Sequence, residues 1–199
     1  MGAGIIPFCC KDGKAQFLFH KTFSGRRAGF LVDFGGGGRH GETYRQTAIR
    51  EFVEETDTLY LEPDLRLARR TPERVEAQTA MMEDILERTQ NEHPNWWCQR
   101  EPGSKIPPKD WRTFFVEVAP RDIGAINREW AADDGTRFKK PRELLWVSGV
   151  ALLTIYRTEP DRLWKRVRQL IGAPDVIEDI ASVCEARISG SDRFGGIQA

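Results

Sequence analysis

The chain has 199 residues, 40% hydrophobic and 30% charged, with 30 basic and 30 acidic side chains and a formal net charge of zero. That length suits one domain with a sizeable core. The charge balance argues against a long nucleic acid or an anionic membrane as the main partner, because both demand a basic excess, but it leaves room for a small anionic ligand.

The N-terminal stretch MGAGIIPFCCKDG has too short an apolar run for a signal peptide, and Ile6 stands where a myristoylation pattern needs Ser or Thr. No segment reaches the length of a membrane span. The cysteines Cys9, Cys10, Cys98 and Cys184 show no C-x-x-C or zinc-type spacing. They predict no disulfide framework and a cytoplasmic, reducing location.

The runs GAGIIPFCC and AQFLFHKT flank KDGK, and Asp12-Gly13 predicts a hairpin turn between them. A loop carrying Lys21, Arg26 and Arg27 follows, then a short strand, GFLVDF, running into four consecutive glycines, Gly35 to Gly38. Residues 43–56 carry the clearest helix signal, with Thr43 as N-cap and Gln46 three residues on as a capping box. TLYLEPDLRLA reads as extended. Residues 72–90 predict a second helix, opened by Pro72 and spaced through Val75, Met82 and Leu86.

A Pro-rich loop with Trp96 and Trp97 leads to a buried strand at about 111–119, and a polar stretch comes next. ELLWVSGVALLTIY is apolar throughout, so periodicity does not divide its strand from its helix. Two helices are predicted near 159–171 and 174–187, and residues 191–199 read as a mobile tail.

On a helix, Glu51, Glu54 and Glu55 fall within about a 100° arc, opposite Ala48, Ile49, Phe52 and Val53. Like charges at this spacing repel by a few tenths of a kcal/mol on an open surface, and by more in a cleft of lower dielectric. A divalent cation removes that repulsion, and Mg²⁺ takes carboxylates together with water and phosphate oxygens. The plainer alternative is an acidic face turned to solvent. Consecutive glycines let backbone approach a ligand closely, although alone they also fit a flexible turn.

Taken in order, Gly36, Glu42 and then Arg50-Glu51-Phe52-Val53-Glu54-Glu55 resemble the signature of the Nudix hydrolases, a glycine-to-glutamate loop followed by Arg-Glu-apolar-x-Glu-Glu. Asp57 and Thr58 depart from it, standing where that family has glycine and an aliphatic residue. The likeness covers residues 5–60 and 111–150 with decreasing specificity. It implies an α/β/α sandwich with a mixed β-sheet, a single domain over 1–190, and a largely helical insert near 62–110 that forms a lid or a homodimer contact.

The resemblance implies a metal-dependent hydrolase that cleaves the pyrophosphate bond of a small nucleoside diphosphate derivative, NDP-X, by water attack on phosphorus. Mg²⁺ or Mn²⁺ would be the cofactor. Glu51, Glu54 and Glu55 would ligate metal, with the Gly35 carbonyl as a further ligand, and Arg50 would orient the glutamates. Glu42 would hold loop and helix together or reach a metal through water. The general base would be a box glutamate or an acid on a later loop, with Glu143, Asp133 and Asp134 as candidates.

Lys21, Arg26 and Arg27, with Gly36 and Gly37, would meet the substrate phosphates. Trp96 and Trp97 either stack a base or pin their loop to the core, the second being commoner for adjacent tryptophans. His20, His40 and His93 form no ligand spacing and read as structural or exposed. Pro72 falls near a mark of ADP-ribose hydrolases, weakly, because it also starts a helix. The rival reading is a Nudix-fold nucleotide-binding or regulatory module without turnover. The intact Arg50-Glu51 and Glu54-Glu55 pairs favour the enzyme.

Overall fold

The structure, a computed structural model, describes residues 1–68, 71–102, 110–136 and 142–191, with side chains to residue 188. Strand β1 (Gly2–Lys11) turns through Asp12 and Gly13 into β2 (Lys14–Lys21). Both turn residues have positive φ, 50° and 69°, the left-handed backbone that the Asp-Gly signal predicts. Next come β3 (Phe34–Gly37), α1 (Tyr44–Glu55) and α2 (Pro72–Glu92). Strands β4 (Trp97–Gln99) and β5 (Trp111–Glu117) precede α3 (Ile123–Ala132). The chain continues with β6 (Glu143–Ser148), α4 (Gly149–Thr158), the short α5 (Lys165–Arg168) and α6 (Ala173–Ser191).

The sheet order is β4-β5-β1-β2-β6, with β3 pairing β1 off that path. The β1–β5 pairing is parallel and the others are antiparallel, so the sheet is mixed. One edge of β1 is shared: its first half pairs β3 and its second half pairs β2. Alternate side chains of the central strands enter two cores. Ile5, Leu18, Phe34 and Phe114 pack with Ile49, Phe52, Met82 and Trp130 from α1, α2 and α3. Ile6, Phe17, Phe19 and Phe115 pack on the other face with Leu152, Val167, Ile177 and Ile180 from α4, α5 and α6. This is the α/β/α sandwich expected, and β1 is buried on both faces as a central strand with a parallel neighbour should be.

Several expectations are corrected. GFLVDF is not the strand; Leu31 and Val32 form only isolated bridges, and β3 is built on the glycines themselves. The strand falls there because it lies so close to β1: a Cβ on Gly35 would sit 2.5 Å from the Ala3 carbonyl oxygen and 2.6 Å from Gly4 Cα. TLYLEPDLRLA is a run of turns and a 3₁₀ segment at Leu65–Leu67 rather than extended chain, and it drops Leu59 and Tyr60 into the core.

The polar stretch after β5 contains α3, started by Asp122, whose carboxylate accepts from the Gly124 and Ala125 N–H groups. The helix expected near 159–171 is broken into Pro160–Arg162 and α5. Helix α6 runs past 187 to Ser191, and residues 192–199 lie outside the described residues.

In the region expected as an insert, α2 packs on α1 and β5, and β4 extends the sheet. Cys10 and Cys184 form a disulfide with Cα atoms 5.2 Å apart, contrary to the expectation of unpaired cysteines. The end of β1 meets α6 only through the tertiary fold, across 174 residues of sequence, so no local spacing announces the pair. The cytoplasmic reading thereby loses the support it drew from unpaired thiols. Among the described residues no helix is long and apolar enough to cross a membrane.

Candidate active site

Helix α1 starts as its sequence dictates. Thr43 Oγ1 accepts from the Gln46 N–H at 3.2 Å, and Gln46 Oε1 accepts from the Thr43 N–H at 2.9 Å. Ala48, Ile49, Phe52 and Val53 bury the inner face, which presses the helix onto β3 and β1. A Cβ on Gly36 would lie 2.3 Å from the Glu51 carboxylate, so that carboxylate rests directly on glycine backbone. No other residue type leaves this space.

Arg50 organises the acids. Its Nε and Nη2 donate to Glu42 at 2.7 and 3.0 Å, and Nη2 also donates to the Gly37 carbonyl at 2.9 Å. Its Nη1 reaches both Glu51 Oε1 at 2.8 Å and Glu54 Oε2 at 3.4 Å. Glu42 further accepts from the Arg39 N–H at 2.8 Å and the Thr47 hydroxyl at 3.0 Å. The Arg50 hydrogen bonds hold Glu42 down at a pKa of about 2. Arg39 Nη2 donates to Glu54 Oε1 at 2.9 Å. Of the two roles expected for Glu42, the one with geometry here is that of joining loop to helix.

Glu55 turns the other way. Its Oε2 accepts from the Gly35 N–H at 2.7 Å and lies 3.6 Å from His20 Nε2. Its Oε1 lies 3.1 Å from Arg142 Nη1 and 3.4 Å from Arg27 Nη1. Burial works against its charge, yet the His20 hydrogen bond and the permanently charged Arg142 and Arg166 outweigh it, so the carboxyl stays well below the usual carboxylate range. His20 is fully buried on β2, and burial holds its imidazole below the ordinary value against the opposing pull of Glu55. Behind this cluster, buried Asp33 accepts from Arg166, whose guanidinium stacks 4.5 Å from the Trp111 ring.

After Glu55 the helix stops at Asp57 and Thr58, both with positive φ, 48° and 62°. The reversal that a glycine would supply is therefore made by non-glycine residues, one of them β-branched, a rarely adopted backbone state. Gln78 Nε2 from α2 donates to the Thr58 carbonyl at 2.8 Å and braces it.

The remaining expected residues are scattered. Arg27 reaches the site, whereas Arg26 is exposed in its turn. Lys21 ends β2 opposite Glu143, the exposed first residue of β6, beside Arg142. Asp133 and Asp134 accept from the Gly135 and Thr136 N–H groups in a turn after α3. Of the two readings of Trp96 and Trp97, pinning is the one with geometry at Trp96. Trp96 is buried, stacks on His93 at 3.5 Å and donates to Asp179 at 2.6 Å. Trp97 sits in β4 with Arg112 4.7 Å from its ring.

His40 is exposed and lines a cleft of about 500 Å³ between α1 and α2 that also touches Arg39, Glu42, Arg50, Glu54 and Glu83. Arg39, Arg142, Asp33 and Arg166 had no motif to mark them. Their one sequence signal is weak: Arg39 directly follows the glycines, and Arg142 directly precedes Glu143.

Among the described residues no three His, Cys, Asp or Glu side chains are gathered as a metal site. Glu51 and Glu54 nevertheless share one positively charged nitrogen, Arg50 Nη1, so two carboxylates already converge on a cation. With the Glu51 carboxylate set against Gly36, these two fit a hard divalent ion.

No protein-family model matches the chain, and no curated protein matches it. Solved structures similar to it include a C. elegans Ap4A hydrolase in a binary complex, 14% identical, covering 95% of this chain and 97% of that one, with a TM-score of 0.46. A Nudix hydrolase from M. smegmatis, RenU, is 15% identical over 93% of this chain and 86% of its own, TM-score 0.46. A NUDIX hydrolase from Alicyclobacillus acidocaldarius is 15% identical over 96% and 94%, TM-score 0.45. At these values the likenesses assign the chain to no family.

Proposed function

We propose that this chain is a metal-dependent pyrophosphohydrolase acting on a small nucleoside diphosphate derivative, NDP-X. The observation that carries the reading is the Gly36–Glu51 contact combined with the shared Arg50 contact of Glu51 and Glu54. Spacing alone required only that these acids share a helix. Their convergence beside glycine backbone gives a metal-bound, multiply anionic diphosphate two neighbouring carboxylates, while Arg27 and Arg142 stand against Glu55.

In this reading Glu51 and Glu54 would hold Mg²⁺ or Mn²⁺, with Glu55, Glu42 and the Gly35 carbonyl as the further ligands that the family resemblance implies. A bound divalent ion supplies charge neutralisation at the phosphate oxygens and a more acidic water. The chain's own residues do the rest. Arg50 sets the two carboxylates in register through hydrogen bonds from its Nη1. Arg27 and Arg142, now held against Glu55, are the cations this reading assigns to the diphosphate. The general base is a box glutamate or one of the later acids Glu143, Asp133 and Asp134, of which Glu143 is exposed beside Arg142.

A second reading, a nucleotide-binding module without turnover, draws on the engagement of Glu55 by His20, Arg27 and Arg142, which occupies one expected ligand. Product release from a panel of NDP-X compounds with Mg²⁺ separates the two. Turnover that Glu54→Gln lowers by roughly two orders of magnitude or more supports the enzyme. Tight nucleotide binding with no product from any compound supports the module.

A further inference from the structure

We propose that the cavity at the end of the sheet remote from the acidic helix is a second ligand site, which takes a planar heteroaromatic molecule carrying an anionic group. The site is independent of the pyrophosphohydrolase reading. Strand pairing sets its distance from the acids. Gly35 to Gly37 pair with Gly4 to Gly2 at the start of β1, and Cys9 stands five residues beyond Gly4, about 17 Å at the usual strand rise.

Alternation along the strands brings the floor of the cavity together. Ile5, Leu18 and Leu144 enter the core beneath α1, α2 and α3. Period two puts Cys9, Gln16 and Trp146 on that same face. Cys9 pairs with Gln16 across β1 and β2, and Trp146 lies diagonal to Gln16, since its own partner is Leu18. Helix α3 starts at the rim. Its Asn127 side-chain amide exchanges hydrogen bonds of 2.9 and 2.8 Å with the Leu144 carbonyl and N–H, which fastens the helix over β6. Ile123, with the preceding Pro120, Arg121 and Asp122, forms one wall. The cavity so enclosed measures about 670 Å³, within the usual range of small-molecule sites.

The wall is fixed. The Tyr60 hydroxyl donates to the Ala119 carbonyl at 2.8 Å, and Arg121 Nη2 donates to the Glu62 carbonyl. Tyr60 also meets Trp146 edge-on, with centroids 6.5 Å apart and planes at 68°, and so sets the tilt of the indole. Among the described residues this is the one ring contact of Trp146, and no cation lies over it. Trp146 is half-buried and lines the cavity, so part of the indole surface faces the ligand space.

The polar groups choose the ligand. Among the described residues the Gln16 amide and the Lys11 ammonium have no hydrogen-bond or ion-pair partner. An amide presents a donor and an acceptor side by side, which pairs with an adenine-type edge. Lys11 and Arg121 set two cations at the mouth against one acid, Asp122, and that acid is engaged by the first N–H groups of α3. The surplus suits a phosphate. The Cys9 thiol, pushed up to about 11 by burial and by Glu117, stays neutral and adds no competing negative charge.

Calorimetric titration with AMP, adenosine and ribose 5-phosphate tests this, in EDTA so that no divalent ion holds nucleotide at α1. We expect AMP to bind at a single site, with affinity unchanged in Glu54→Gln. Trp146→Leu should weaken AMP by about 5- to 150-fold, the range of base stacking on an aromatic side chain. Gln16→Met, at a half-buried position, should weaken it by about 2- to 13-fold, the worth of a hydrogen bond. Lys11→Gln, at an exposed position, should weaken AMP by up to about fivefold and leave adenosine unchanged. Ribose 5-phosphate, which lacks the ring, should bind wild type no better than AMP binds Trp146→Leu. No heat from AMP at about 1 mM, or equal AMP affinity in wild type, Trp146→Leu and Gln16→Met, overturns the proposal. Adenosine binding as tightly as AMP also overturns it, because the anion then contributes nothing. So does AMP binding that Glu54→Gln abolishes and Trp146→Leu keeps, since the nucleotide then sits at the acidic helix.

Discussion

Glu42 and Arg50 form a two-point contact, with Arg50 Nε 2.7 Å from Glu42 Oε1 and Nη2 3.0 Å from Oε2. The pair ties the glycine loop to α1 and leaves Nη1 free to align Glu51 and Glu54. It also sets an acid limb. The folded-state pKa of Glu42 is lowered from 4.5 to about 2, so its contribution is fully present above the unfolded value and is lost as pH falls from 4.5 through about 2. Thermal unfolding measured across that window should fall less steeply with pH in Glu42→Gln than in wild type, because the variant has already lost the linked term.

The glycines of β3 separate structure from chemistry. Gly35→Ala sets a Cβ 2.5 Å from the Ala3 carbonyl oxygen, which is backbone and does not yield, and should cost more than about 3 kcal/mol or prevent folding. Gly36→Ala meets instead the Glu51 carboxylate at 2.3 Å, the end of a side chain that swings away. That variant should fold with a small loss of stability and lose turnover by roughly 100-fold. Gly37→Ala meets nothing within 4 Å and should be close to wild type in both. Denaturant unfolding paired with an activity assay reads all three.

Glu54 and Glu55 are adjacent in sequence but should respond differently. Glu54 faces two arginines at a partly exposed site, so Glu54→Gln should lower turnover while leaving stability within about 1 kcal/mol. Glu55 is buried against Arg142, Arg27 and His20, and Glu55→Gln leaves those guanidiniums without their anion. That variant should lose about 3 kcal/mol by chemical denaturation.

The Cys10–Cys184 disulfide closes almost the whole chain into a loop, so breaking it should free the unfolded ensemble and cost about 2–4 kcal/mol. Cys184→Ala tests this without reductant. A thiol count on the unfolded, unreduced protein should find Cys9 and Cys98 free and the other pair unreactive until reduced.

What was legible in the sequence is what short-range chemistry decides. Asp12-Gly13 specifies a tight turn because its backbone conformation suits few other pairs, and both φ values are positive as required. Thr43 and Gln46 specify the start of α1 because their side chains satisfy its first free N–H groups. Pro72 starts α2 for a similar local reason, and the 3.6-residue spacing of Met82 and Leu86 tells which face is buried.

The tertiary structure alone decided the rest. The shift of β3 onto its glycines depends on how closely β1 and the Glu51 carboxylate approach, distances that no window of sequence contains. The sequence names Glu55 as a third equal acid. Only the meeting of β2, β6 and the Arg27 turn surrounds it with His20, Arg142 and Arg27 and sets it apart from Glu51 and Glu54. The pairing of Cys10 with Cys184 has the same origin. Burial and Coulomb energy depend on separation in space, and these residues come together only when the sheet closes.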